Sequence, residues 1–373
     1  MRALTAGLLL FIVLPVAAVE FDANERALIA LHGPWPPQSA ADESNRVSQN
    51  PAAIRLGERL FFDHDLGGDA GFSCASCHDP GLAFTDGQDT GRGRARLERN
   101  TTSLLNVGGN RWFGWGGETD SLWAQSIRPI VAADEMAATP ADVKALLLDR
   151  PRYLELYQTA FQTNPEQEPD ETVLVNVAKA LAAYQETLVS PRTPFDEFRD
   201  ALLRDDRSAM QAYPESAQRG LKLFIGEARC NLCHFGPKFS NGEFGDVGIP
   251  YFTVGGVDAG RYRGIKQVRS SPYNRLGEFN DGDAEQNAIA TRQVRLTQRN
   301  WGEFKVPGLR DVALTAPYMH NGSLPTLRHV VLHYSNLDEE RLHTDGEKIL
   351  RPLDLDHQQV EDLLSFLQSL SPQ

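Results

Sequence analysis

Apolar residues recur at helical spacing in several stretches of the chain, and most of these stretches open on a capping signal. In NPAAIRLGERLFF, Asn50 stands at a cap position with Pro51 in the first turn, and Thr139 and Pro140 repeat the arrangement in TPADVKALLLD. ETVLVNVAKALAAYQETL reads as a long amphipathic helix. Near the C-terminus, LDHQQVEDLLSFLQSL puts Val360, Leu363, Leu364 and Leu367 on one helical face. Residues 236–300 are rich in Gly and polar side chains with little periodicity, which reads as loop. The pattern predicts an all-α protein with long irregular loops.

One helical pattern occurs twice. Gly57, Leu60 and Phe61 precede Cys74, Cys77 and His78, while Gly220, Leu223 and Phe224 precede Cys230, Cys233 and His234. A repeated helix leading into a repeated motif predicts two related cytochrome c-like domains. C-x-x-C-H is the attachment signature of haem c, in which two thiols bond the porphyrin vinyl groups and the adjacent imidazole binds iron. Zinc and thiol redox chemistry are the alternatives, but structural zinc takes four ligands and a redox pair has no use for the trailing His. These are the only four cysteines in the chain, so two covalently bound haem c groups account for all of them.

Arg2, the apolar run LLLFIVLPVAA and small residues at Val16 and Ala18 predict a signal peptide over residues 1–18, with a retained anchor as the alternative. No later segment approaches spanning length, which places the mature chain in the periplasm without an integral membrane segment. A length of 373 residues accommodates two domains. The expected layout is an N-terminal segment over 19–48, a first haem domain over 49–210 and a second over 211–373. A net charge of -13 argues against nucleic acid as a partner and would attract a basic electron-transfer protein.

LFFDHDLGGDAGFSCASCHDPGLAFTDG, RNTTSLLNV and FKVPGLRDVALTAPYMHNGSLPTL, taken with the second C-x-x-C-H, resemble the bacterial di-haem cytochrome c peroxidases and their MauG-type relatives. The resemblance covers most of the mature chain. In one branch of that superfamily the second haem takes a Met fourteen residues beyond the His of the PYxH motif; in the MauG-type branch a Tyr stands there. Counting from His320 reaches Tyr334, so the resemblance implies that His234 and Tyr334 hold the second iron. His329 and His333 are chemical rivals. The Met-ligated branch also carries a His eight residues before the Asn of the RN motif, which caps the resting first haem. Here that position is Arg92, implying an open first haem on His78 that needs no reductive activation.

The resemblance further assigns Gln125, Pro129 and Glu135 to the distal side of the first haem and Trp115 to the space between the haems. Glu135 would move the peroxide proton and Gln125 would hold the peroxide; a solvated helix-end charge and a packing Trp are the plainer readings. WGGET departs from the family's W-D-G-R, with Gly116 and Glu118 in place of the charged pair, which leaves the anchoring of this turn open. A Ca2+ is implied on the Asn100 side chain and the Thr315 and Pro317 carbonyls, all hard oxygen donors, though Asn100 also suits an ordinary turn.

The activity implied is reduction of hydrogen peroxide to water. The electrons would come from a cytochrome c or cupredoxin, or, as in MauG-type enzymes, from side chains of a protein substrate. A two-haem electron carrier without catalysis is the third class.

Overall fold

The helices begin where side chains satisfy their first backbone N–H groups. Asn50 accepts from the amides of Ala52 and Ala53, Thr139 from that of Asp142, and Asp356 from that of Gln359. The computed structural model describes residues 19–372 except 39, 251, 254, 255, 347 and 348. The expected signal peptide lies outside the described residues.

The chain runs through α1 (Ala23–Ala30), α2 (Pro51–Phe62), α3 (Leu122–Val131), α4 (Pro140–Asp149), α5 (Pro151–Phe161), α6 (Asp170–Gln185) and α7 (Pro194–Leu203). It continues through α8 (Arg207–Gln211), α9 (Glu215–Ile225), α10 (Arg261–Ser270), α11 (Ala284–Asn287), α12 (Ile289–Gln293), α13 (Leu327–Ser335) and α14 (His357–Gln368). Strands are confined to two short antiparallel pairs, β1 (Phe244–Gly245) with β4 (Phe304–Lys305) and β2 (Phe252–Thr253) with β3 (Gly256–Val257). The fold is all-α, as the apolar pattern predicts. Among the described residues no helix is long and apolar enough to cross a membrane.

Two hydrophobic cores organise the helices. The first gathers Leu56, Leu60 and Phe61 of α2, Trp123 and Ile127 of α3, Leu147 of α4, Tyr157 of α5 and Leu174 to Ala183 of α6. The second gathers Leu221 and Phe224 of α9, Leu327 and Val331 of α13, and Val360 to Leu367 of α14. It also takes Ile29 of α1 and Phe195, Phe198 and Leu202 of α7, so it draws on chain outside residues 211–373. An amphipathic pattern shows that a helix is buried but not which core receives it.

The repeated Gly has a geometric role. α2 crosses α6 so closely that a Cβ on Gly57 would lie 2.0 Å from the Ala180 carbonyl oxygen. α9 crosses α14 so closely that a Cβ on Gly220 would lie 1.9 Å from that of Asp362. Each unit thus has a helix entering a C-x-x-C-H motif and crossing a later helix at a glycine. In an exposed helix Gly→Ala stabilises by about 1 kcal/mol. Here Gly220→Ala is expected to destabilise by about 1–3 kcal/mol through overpacking; denaturant unfolding that showed a gain instead would contradict the close crossing.

Two elements differ from their sequence reading. α6 is not amphipathic: Val173 to Gln185 are all buried, with Lys179 tied to Asp281 at 2.6 Å and to the Phe279 carbonyl at 2.7 Å. The 236–300 segment, read as loop, contains the ten-residue helix α10. Its inward face is Arg261, Gly264, Ile265 and Val268, so a buried Arg and a Gly hide the apolar period.

Candidate functional site

Both C-x-x-C-H motifs fold into short 3-10 turns at the ends of their helices, Cys74–Ser76 and Cys230–Leu232. In each, the His amide closes back on the first Cys carbonyl at 2.9 Å. Nδ1 of His78 lies 3.0 Å from the Phe84 carbonyl and Nδ1 of His234 lies 3.0 Å from that of Phe239. A carbonyl only accepts, so each Nδ1 carries the proton and each Nε2 is left as the basic nitrogen. The cysteines form no disulfide, and burial pushes the Cys74 and Cys230 thiols up to about 12 and Cys77 to about 11. A redox thiol needs the opposite shift.

A cavity of about 1150 Å³ runs between the two motifs and is lined by all six of these residues. Trp115, Gln125, Pro129, Glu135, Asn100, Thr315, Pro317 and Tyr334 line it too, so the residues that the resemblance assigned to haem, peroxide or Ca2+ reach one space. Neither His329 nor His333 does. His329 sits with Thr326 at the start of α13, Nδ1 to Oγ1 2.7 Å, and His333 donates from Nε2 to the Val247 carbonyl at 2.7 Å. Tyr334, one residue on, turns its phenol into the cavity beside Cys230 and Cys233, and burial pushes its pKa well up.

α3 delivers the other wall. Its Ser121 cap and buried Trp123 and Ile127 fix the helix, and Gln125 accepts from Thr119 Oγ1 at 3.0 Å and from Arg128 Nη1 at 3.4 Å. The helix continues through Pro129 to Val131, so the turn begins later than the proline. The Met136 amide then bonds the Pro129 carbonyl at 3.1 Å, closing the turn that carries Glu135. Burial raises the Glu135 carboxyl, with Arg128 opposing and Asp134 adding to the rise.

The segment with Arg92 is tied to that turn. The amides of Arg94 and Ala95 donate to the carbonyls of Glu135 and Asp134 at 3.1 and 2.9 Å. A Cβ on Gly93 would lie 2.5 Å from the Glu135 Cα, so only glycine permits the approach. On the opposite wall, Trp115 donates to the Asn100 carbonyl at 2.9 Å and the Asn100 amide donates to the His320 carbonyl at 2.8 Å. Among the described residues no cluster of three or more His, Cys, Asp or Glu stands ready for a metal; the Asn100 set consists of an amide and carbonyls.

Residues 51–203 match the family model for di-haem cytochrome c peroxidase, and residues 304–336 match one described as RoxA-like, cytochrome c-like. The methylamine utilization protein MauG of Methylorubrum extorquens is 33% identical over 356 residues, covering 95% of this chain and 88% of that protein. The chain belongs to the di-haem cytochrome c peroxidase family. Cytochrome-c peroxidase IdrP1 of Pseudomonas sp. (strain SCT) is 31% identical, covering 95% of this chain and 89% of that one. The structure of a MauG-like protein associated with microbial copper homeostasis superposes with a TM-score of 0.67 at 26% identity, over 91% of this chain and 96% of that chain. Members of this family are oxidoreductases with two haem c groups, and the paired thiols, basic imidazole nitrogens and shared cavity fit two such groups.

Sequence reading missed the basic residues of the cavity wall, among them Arg261, Lys238 and Lys305. Basic side chains in polar stretches read as solvated; the departure of WGGET from the family's charged pair was the one available signal.

Proposed function

We propose that the protein is a periplasmic peroxidase that reduces hydrogen peroxide to two waters with two electrons and two protons. Two haem c groups on Cys74/Cys77 and Cys230/Cys233 would supply the redox chemistry; His78 would hold the first iron, and His234 and Tyr334 the second. Glu135 takes a proton from the near oxygen of bound peroxide and returns it to the departing one, while Gln125, held at its oxygen, offers its amide N–H to the peroxide. Trp115 stands between the two motifs as a relay for oxidising equivalents. A Ca2+ on the Asn100 side chain and the carbonyls of Thr315 and Pro317 would brace that wall.

The observation that carries the reading is the Arg92 segment. Its backbone is engaged with the Glu135 turn and with Cys77, whose thiol lies 3.7 Å from the Arg92 carbonyl, and it offers no imidazole to the first site. A first iron held by His78 would then find no capping imidazole from this segment. Glu135 and Gln125 on the same cavity argue against an electron carrier, which has no need of a proton-transfer group.

Electrons reach the site from a cytochrome c or cupredoxin. A second source is favoured by Tyr334: a hard anionic donor stabilises high oxidation states, which suits withdrawal of electrons from side chains of a protein substrate. Rapid mixing of the diferric protein with peroxide is the test. The expected result is an immediate spectral change without prior reduction; a protein inert until an electron is supplied would contradict the open first site.

A further inference from the structure

The turn after Trp115 is built of two glycines, Gly116 and Gly117, and α10 packs a guanidinium against it. Arg261 is 4% exposed, and its guanidinium carbon lies 4.2 Å from the Trp112 ring centre and 4.0 Å from that of Phe244. Nη1 donates to the carbonyls of Gly116 and Gly117 at 3.2 and 3.0 Å. The two segments interlock through glycines. A Cβ on Gly117 would lie 2.3 Å from Arg261 Nη1, and one on Gly264 would lie 2.0 Å from the Gly116 carbonyl oxygen. Gly117 also has a φ of +67°, which favours glycine. Glu118 makes its ion pairs elsewhere, facing Arg99 and 3.7 Å from Arg128, and with Glu243 and Glu303 it attracts Arg261 only through space.

Arg261 forms no ion pair with any described residue, although it is buried and lines the cavity. Burial pushes it down only to about 10, so it is charged at neutral pH. Carboxylates of the protein act on it only through space and its hydrogen bonds go to carbonyls, so the cavity side of this guanidinium is without a hydrogen-bonded anion. Lys305 extends the same wall: it pairs with Phe244 across β1 and β4 and likewise forms no ion pair among the described residues.

We propose that Arg261 is a positioning residue that binds a haem propionate carboxylate beside Trp115. The assignment rests on the family's two haems occupying this cavity. The carboxylate completes the guanidinium's hydrogen bonds, and the aromatic sandwich fixes the fork, so the edge of one porphyrin is held against the Trp115 wall.

The test uses the holoprotein with Arg261→Leu and Arg261→Lys. Mass spectrometry first counts haems in the native protein; fewer than two would overturn the cofactor reading itself. With two present, spectroelectrochemistry of Arg261→Leu is expected to show both groups retained and at least one midpoint potential lowered, because an uncompensated carboxylate disfavours the added electron. Arg261→Lys, which keeps the charge and folds more readily, is expected to restore most of the potential while shifting the propionate bending band in resonance Raman. Unchanged potentials in folded Arg261→Leu would overturn the proposal. If that variant does not fold, an unshifted propionate band in Arg261→Lys overturns it instead.

Discussion

Glu135→Gln is expected to slow the reaction of the diferric protein with hydrogen peroxide by about a hundredfold or more, within the usual range for a general acid–base group. The substitution preserves shape and hydrogen-bonding reach but removes the ability to take up and release a proton. Little else should change, because the turn is held by backbone: the Arg94 and Ala95 amides bond the carbonyls of residues 135 and 134, and the Met136 amide bonds Pro129. The pH dependence provides a second signature. Burial raises the Glu135 carboxyl above its ordinary range near 4.3. A base must be ionised, so activity is present above the raised pKa and falls as pH drops through it. The native acid limb therefore lies above the usual carboxylate range, and in Glu135→Gln that limb disappears. Stopped-flow rates across pH, with haem content confirmed by mass, decide the matter. A variant with the native rate and the native limb would remove Glu135 from the proton path.

The parts of the fold legible in the sequence are those set by local chemistry. Asn50 and Thr139 cap helices because the acceptor and the amides it satisfies lie within a few residues. The repeated Gly-x-x-Leu-Phe was also legible as a repeat, although not as a pair of helix crossings, since the carbonyls of Ala180 and Asp362 are distant in sequence. α6 misleads for a related reason. Its Asn176, Lys179 and Gln185 look like a solvated face, yet Asn176 bonds the Tyr157 hydroxyl, Lys179 bonds Asp281 and Gln185 bonds Ser126. Polar residues satisfied by remote partners are indistinguishable, in sequence, from residues facing water.

The site follows the same division. The two C-x-x-C-H motifs were readable because their spacing is their signature, and Gln125, Pro129, Glu135 and Trp115, which the family resemblance added, line the same cavity. Arg261 was not, because its partners are two rings and two carbonyls from elsewhere in the chain. Only the glycines of WGGET and GRYRG, each making room for the other segment, record the contact in the sequence.

Tyr334→Phe is expected to abolish the low-spin signal of one haem while leaving two haems bound and the other spectrum unchanged. α13 is anchored independently of the phenol, by the Thr326 cap and by Leu327 and Val331 in the second core. Among the described residues no hydrogen bond of the Tyr334 hydroxyl is found, so removing its oxygen breaks none. Burial alone would keep the phenol neutral; a ferric ion held by His234 would reverse that preference by pairing with the phenolate. With Phe in its place the second iron would lose a hard anionic donor, and its potential is expected to rise. Magnetic resonance and resonance Raman of the diferric variant, with a potentiometric titration, read all three effects. Persistence of the native low-spin signal would transfer ligation to another side chain, which His329 and His333 could supply only by leaving Thr326 and the Val247 carbonyl and turning α13 toward the cavity.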